Sequence, residues 1–191
     1  MDQVGQPEPV GCPAEGAVMV VHDPASAVVD VVSRAMREAF DAGSSFPPLG
    51  GGSTDVRLLA GDAIPLAMWN AHADEGCDEP FLWVRLARRY RTDEFPAATT
   101  DPAPCRFPVG LQIEVGVGRC AVVDMEPSWD DYAREAEVSL DDSWRIELAL
   151  CRAAGLVESS EHGVDAAIGE VVPFGPEGGV IAWSGELYVR V

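Results

Sequence analysis

The chain has 191 residues, a formal net charge of −19 and an apolar fraction of 47%, which fits one globular domain with an ordinary core. A field of that sign repels nucleic acid and anionic membrane surfaces, so it argues against sequence-specific DNA binding and leaves a solubilising surface, or one past which DNA slides. No run is long and apolar enough to span a bilayer and no signal peptide is recognisable, so the scattered cysteines Cys12, Cys77, Cys105, Cys120 and Cys151, without a CxxC pair, are expected to be reduced.

Residues 1–16 are rich in Pro, Gly and Glu and read as a flexible arm; residues 17–191 then form the domain. A short apolar run at 17–21 precedes Asp23-Pro24, a cap followed by proline at the first helical position. The spacing of Ala27, Val28, Val31, Val32, Ala35, Met36, Ala39 and Phe40 predicts a helix to about Asp41, with Gly43 at its C-terminal cap. Residues 44–54, rich in proline and glycine, read as a loop, 56–60 as a short strand, 63–71 as ambiguous and 74–80 as an acidic turn.

Residues 81–90 alternate as a strand, and a shared face is expected for Arg85, Arg89 and Arg91. The proline-rich stretch 92–108 is a long loop. Val109, Leu111, Ile113, Val115 and Val117 share one face of a strand over 109–123, where Gly116 and Gly118 suggest close approach of another backbone or a bulge. Ser128 caps a long helix whose stripe Trp129, Tyr132, Ala133, Ala136, Leu140, Trp144, Leu148 and Cys151 is expected to lie across the sheet, with Gly155 ending or weakening it. A loop over 157–164 leads to a closing hairpin, 167–174 and 180–191, turned by residues 174–179. On the last strand Ile181, Trp183, Leu187, Val189 and Val191 oppose Ala182, Ser184, Glu186 and Arg190. This order gives an α+β fold, a mostly antiparallel central sheet with two main helices packed on it.

Catalytic constellations are not evident. His22, His72 and His162 each sit beside a loop without a helical partner histidine, and His72 with Cys77 lacks a further pair for zinc. Cys120 and Cys151 read as small core residues, the glycine clusters as turns or packing sites, and Asp141 with Arg145 as a surface ion pair at i, i+4. No catalytic, cofactor or metal residue is assigned. The arginines Arg85, Arg88, Arg89 and Arg91 are the one basic concentration, more suited in so acidic a chain to a subunit boundary than to nucleic acid.

The stretches CDEPFLWVRLARRYRTDEFP (77–96) and PVGLQIEVGVGRC (108–120), the helix carrying LDDS (140–143), and PFGPEGG (173–179) before the last strand together resemble neck proteins of tailed phages infecting GC-rich actinobacteria. Within that group the likeness is greatest to a tail terminator, over about the last two thirds of the chain. The resemblance implies a ring-forming subunit without catalysis or cofactor, commonly a homohexamer. It implies a virion location at the head–tail junction after assembly in the host cytoplasm, tail-tube and head-completion (connector) proteins as partners, and DNA passing through an acidic lumen, with no membrane contact. Candidate subunit-interface residues are Arg85, Arg88, Arg89, Arg91, Trp183 and Tyr188, with the 92–108 loop. Alternatives are a head–tail adaptor or stopper of the same neck, an acidic DNA mimic, or an enzyme whose site gathers His72, Cys77 and carboxylates.

Overall fold

The computed structural model describes residues 23–74, 76–122, 126–160 and 165–191; the 1–16 arm, the 17–21 run, Cys12, His22 and His162 lie outside them. Helix α1 (Pro24–Ala39) leads to β1 (Val56–Leu59), α2 (Leu66–Asp74), β2 (Phe81–Arg91), β3 (Val109–Cys120), α3 (Trp129–Glu158), β4 (Asp165–Glu177) and β5 (Val180–Arg190). Among the described residues the five strands form one sheet in the order β1-β2-β3-β5-β4, antiparallel except for the parallel pair β1–β2. The fold is α+β, with α1 and α3 against one face and α2 against part of the other.

Local chemistry sets α1. The Asp23 carboxylate accepts from the Ala25 amide at 3.1 Å, Pro24 opens the helix, and Val28, Val32, Ala35, Met36 and Ala39 are buried. The Ala25 amide and the Arg89 guanidinium, at 2.6 Å, hold the Asp23 carboxyl below the usual range, the arginine having the larger effect. The helix stops at a Phe40 cap, short of the expected Asp41, and the Gly43 amide instead donates to Asp41 Oδ1 at 2.8 Å.

Three arginines fasten the 44–54 loop. Arg119 donates to the carbonyls of Gly50 and Gly51 at 2.5 and 3.0 Å, Arg134 to that of Leu49 at 2.7 Å, and Arg145 to that of Phe46 at 3.0 Å. Gly52 leaves no room for a Cβ, which would stand 2.2 Å from the Phe40 carbonyl oxygen.

Helix α3 departs most from expectation. Its N-terminus is the expected capping box: the Asp131 amide donates to Ser128 Oγ and the Ser128 amide to Asp131 Oδ2, at 3.2 and 2.9 Å. The Ser128 amide, and after it the Ser128 hydroxyl donating to Asp131 Oδ2 at 2.7 Å, lower the Asp131 pKa. The face turned to the core, however, is Asp142, Arg145, Ile146, Ala149, Leu150, Ala153 and Val157. The Trp129–Cys151 stripe points outward: Trp129 is 88% exposed and Leu140 69%. The buried charges are paired and hydrogen-bonded, which makes that face tolerable in the core. Arg119 binds both Asp142 oxygens at 2.6 and 2.8 Å, and Arg145 reaches Asp141 at 2.8 Å and the Ala39 carbonyl at 2.7 Å. Burial pushes the Asp142 carboxyl up, and Arg119 opposes it. Gly155 does not end the helix, which continues to Glu158.

The sheet carries two further corrections. A register shift between Leu86 and Arg88 inserts Ala87 into β2, so Arg85 pairs with Glu114 while Arg89 and Arg91 pair with Leu111 and Val109. That bulge flips the alternation, placing Arg85 on the face opposite Arg89 and Arg91. In β3, what approaches the glycines is aromatic: a Cβ on Gly116 would stand 2.0 Å from the Trp83 ring, and one on Gly118 2.8 Å from Trp69. Trp69, His72, Phe81 and Trp83 stack there as an aromatic cluster that seats α2.

The closing hairpin is longer than its pattern suggests. Strand β4 runs to Glu177 and turns at Gly178-Gly179, both at positive φ, 59° and 78°, as a two-residue turn requires. Strand β5 lies between β3 and β4, with Leu187 and Val189 fully buried on the helix-covered face. The edges are four-residue β1 and β4, which is broken by Pro173 and by register shifts at 168/171 and 174/177. Both are poor templates for strand addition.

Cys77 and Cys120 are joined in a disulfide, with Cα atoms 5.8 Å apart, rather than reduced. It ties the α2–β2 turn to the end of β3, while Cys105 and Cys151 are free and exposed. Cys120 is therefore a bridge that still packs against the Trp69–Phe81–Trp83 cluster, whereas Cys151 is not a core filler.

Candidate subunit interface

The arginines singled out from the sequence divide between the two sheet faces. On the face opposite α1 and α3, helix-free except where α2 covers one end, Arg85 forks onto Glu114, Nε to Oε1 at 2.7 Å and Nη2 to Oε2 at 2.5 Å; Glu114 also accepts from Trp83 Nε1 at 3.1 Å. That carboxylate raises the Arg85 pKa further. Arg88 shares this face, exposed, with its guanidinium 5.2 Å from the Tyr90 ring centre. On the helix-covered face, Arg89 holds Asp23 and Arg91 donates to the Phe107 carbonyl at 2.7 Å. Those two act inside the subunit, at the start of α1 and the end of the 92–108 loop.

Trp183 also lies inward, its indole N–H donating to Ser139 Oγ of α3 at 2.8 Å. Tyr188 lies on the helix-free face with Arg88, and the two help to line a hollow of about 520 Å³ beside Tyr90 and Pro96. Of the six candidates the structure brings together Arg88 and Tyr188, with Arg85 farther along the same face. The 92–108 loop is strapped to β2, the Thr99 amide donating to the Arg91 carbonyl and the Tyr90 hydroxyl to that of Pro96, each at 2.7 Å.

The Tyr188 hydroxyl donates to Glu186 Oε2 at 2.5 Å, and that bond, with burial and the carboxylate charge behind it, pushes its pKa up to about 12. A raised tyrosine pKa favours the folded state fully below the ordinary value of about 10, and that contribution fades as pH rises through the folded pKa. Phenolate absorbance should show a transition near pH 12 that moves toward the ordinary value in Glu186→Ala. An unmoved transition would remove Glu186 as the cause.

Sequence reasoning missed two larger surfaces. One is the outward stripe of α3: no residue before Asp142 on this helix is buried, and Trp129, Leu140, Trp144 and Leu148 stand exposed along it. The helical spacing signalled that stripe; only its direction was misjudged. The other is a hollow of about 550 Å³ on the helix-free face, between α2 and the hairpin, lined by Ile64, Trp69, Trp83, Gly118, Phe174 and Ala182.

His72 is buried in the aromatic cluster, its Nε2 3.0 Å from the Glu79 carbonyl. It lines a hollow with Asp55, Asp78 and Glu79, but the neighbouring Cys77 is committed to its disulfide. Among the described residues, no group of three or more His, Cys, Asp or Glu is placed to hold a metal, and no helix is long and apolar enough to cross a membrane. In sequence, no protein-family model matches the chain, and no curated protein matches it.

Proposed function

We propose that the chain is a structural ring subunit of a tailed-phage neck, acting as a tail terminator that caps the tail tube and joins it to the head connector. The observation that carries this reading is the uncovered stripe of α3. The largest apolar patch on a soluble monomer, typically about 300–600 Å², is often a functional surface, and here two tryptophans and two leucines, 44–88% exposed, stand on one helix face. Such a face suits an assembling subunit. The net charge of −19 supports it, since an acidic lining lets DNA pass without adhering. The motif at 173–179 that contributes to the phage resemblance forms the end of β4 and the hairpin turn. In this reading the subunit is non-catalytic, uses no cofactor, and works in the virion, as a hexamer between tail-tube and connector proteins.

Negative-stain images of the purified protein, alone and mixed with tail tubes, test this. Rings with a central hole, or caps on tube ends, are the expected result. A monomer that never associates with tubes would sink the reading. Arg88→Glu, on the exposed helix-free face, is expected to weaken assembly, whereas Arg89→Glu would chiefly disturb the start of α1 through Asp23.

A further inference from the structure

The two uncovered apolar surfaces lie on opposite sides of the subunit. Helix α3 covers one sheet face and turns its stripe away from the sheet; the aromatic hollow opens on the other face. A single copy cannot bring them together. A sheet face carrying apolar groups is normally buried against a helix layer, and here α2 covers only the Trp69–Phe81–Trp83 end. Phe174, 55% exposed, and Val172 stand beside the hollow without cover.

The geometry points to a head-to-tail contact in which the α3 stripe of one copy lies on the open sheet face of the next, with Trp129 or Trp144 entering the hollow beside Phe174. The occupant is therefore a second copy of this chain. Shape favours it: the stripe is a ridge about 33 Å long over Trp129–Cys151, from the helical rise of about 1.5 Å per residue. The opposing surface is concave, and its floor at Gly118 has no side chain. Size favours it too. The stripe offers on the order of 600 Å² of apolar surface, allowing 150–250 Å² for each large aromatic, against about 800 Å² per partner in a stable interface. Arg88, exposed on the open face and without an ion pair among the described residues, adds a cation opposite a helix whose outer face carries Asp130, Glu137 and Glu147. A twofold pairing of α3 with α3 would cover the stripe and leave the hollow empty; a head-to-tail contact covers both and, repeated with closure, makes a ring. The closure rests on the ring reading above; the contact rests on the geometry.

A complementation experiment tests it, using light scattering on the full chain. One variant disables the stripe (Trp129→Glu with Leu140→Glu), the other the open face (Val172→Glu with Phe174→Glu); all four positions are exposed. Alanine pairs at the same positions serve if a glutamate pair fails to fold. The wild type is expected to self-associate, each variant alone to stay monomeric, and an equimolar mixture to stop at twice the 20.3 kDa of one chain. If the open-face variant assembles like wild type and mixing adds nothing, the contact is a twofold α3 pairing and the proposal is overturned. A wild type monomeric at every concentration also overturns it. The neck reading fails separately, when self-associated protein never binds tail tubes, and it survives if monomers assemble only on them.

Discussion

Replacing Arg145 by alanine is expected to lower the free energy of unfolding by about 3–5 kcal/mol, the cost of breaking a buried ion pair from one side. The side chain is 5% exposed and binds three separate segments. Its Nε donates to Asp141, one Nη to the carbonyl of Ala39, the last residue of α1, and the other to Phe46 in the 44–54 loop. Removing it leaves the Asp141 carboxylate without its counter-charge, though still bonded to the Leu49 amide at 2.9 Å, leaves two carbonyls facing a gap, and removes the arginine bonds from α3 to both neighbours. Arg145→Lys should recover only part of the loss, because a point charge cannot serve three acceptors spread around a planar fork. Urea unfolding measures both. A shift of the alanine variant below about 1 kcal/mol, the range of a surface pair, would show that the three bonds are not needed.

The second large effect concerns the Cys77–Cys120 bridge. It closes a loop across a sequence separation of 43, for which chain-entropy arguments give about 4 kcal/mol, with measured bridges usually at about 2–4 kcal/mol. Cys77→Ser and Cys120→Ser should each lower stability by that amount, shifting the melting temperature by on the order of 10 °C for a chain of this size. The wild type in reductant should melt with the variants. If reductant leaves the wild-type transition unchanged, the bridge contributes nothing to stability.

What the sequence made legible was local. Asp23-Pro24 placed the start of α1, Ser128 with Asp131 the start of α3, and strict alternation in β3 named Leu111, Ile113, Val115 and Val117, all buried. What it concealed depended on distant partners. The core face of α3 looked wet because Asp142 and Arg145 interrupt it; Asp142 is neutralised by Arg119, 23 residues away in sequence, and Arg145, paired with Asp141 on its own helix, also donates to the Ala39 carbonyl 106 residues away. The larger tryptophans drew the prediction to the wrong side. The bulge at Ala87 carries no glycine or proline to announce it, so the arginines of β2 were assigned to one face when they occupy two. For the interface, Arg88 and Tyr188 were within reach of sequence reasoning, but the hollow at Trp69, Trp83 and Phe174 joins segments that only the folded sheet brings together.

The place of β5 in the sheet also governs how the protein is made. Strand β3 must wait for a partner whose first residue lies about sixty positions after its own last. At roughly 5–20 residues per second of chain elongation, β3 spends about 3–12 s with one side unpaired. In that interval Leu111, Ile113, Val115 and Val117 can attract the same strand of a chain being made on a neighbouring ribosome. The finished sheet protects its rims with prolines, register shifts and a short strand; β3 has no such protection until β5 arrives. Yield should therefore depend on crowding and speed of synthesis more than on the stability of the completed fold.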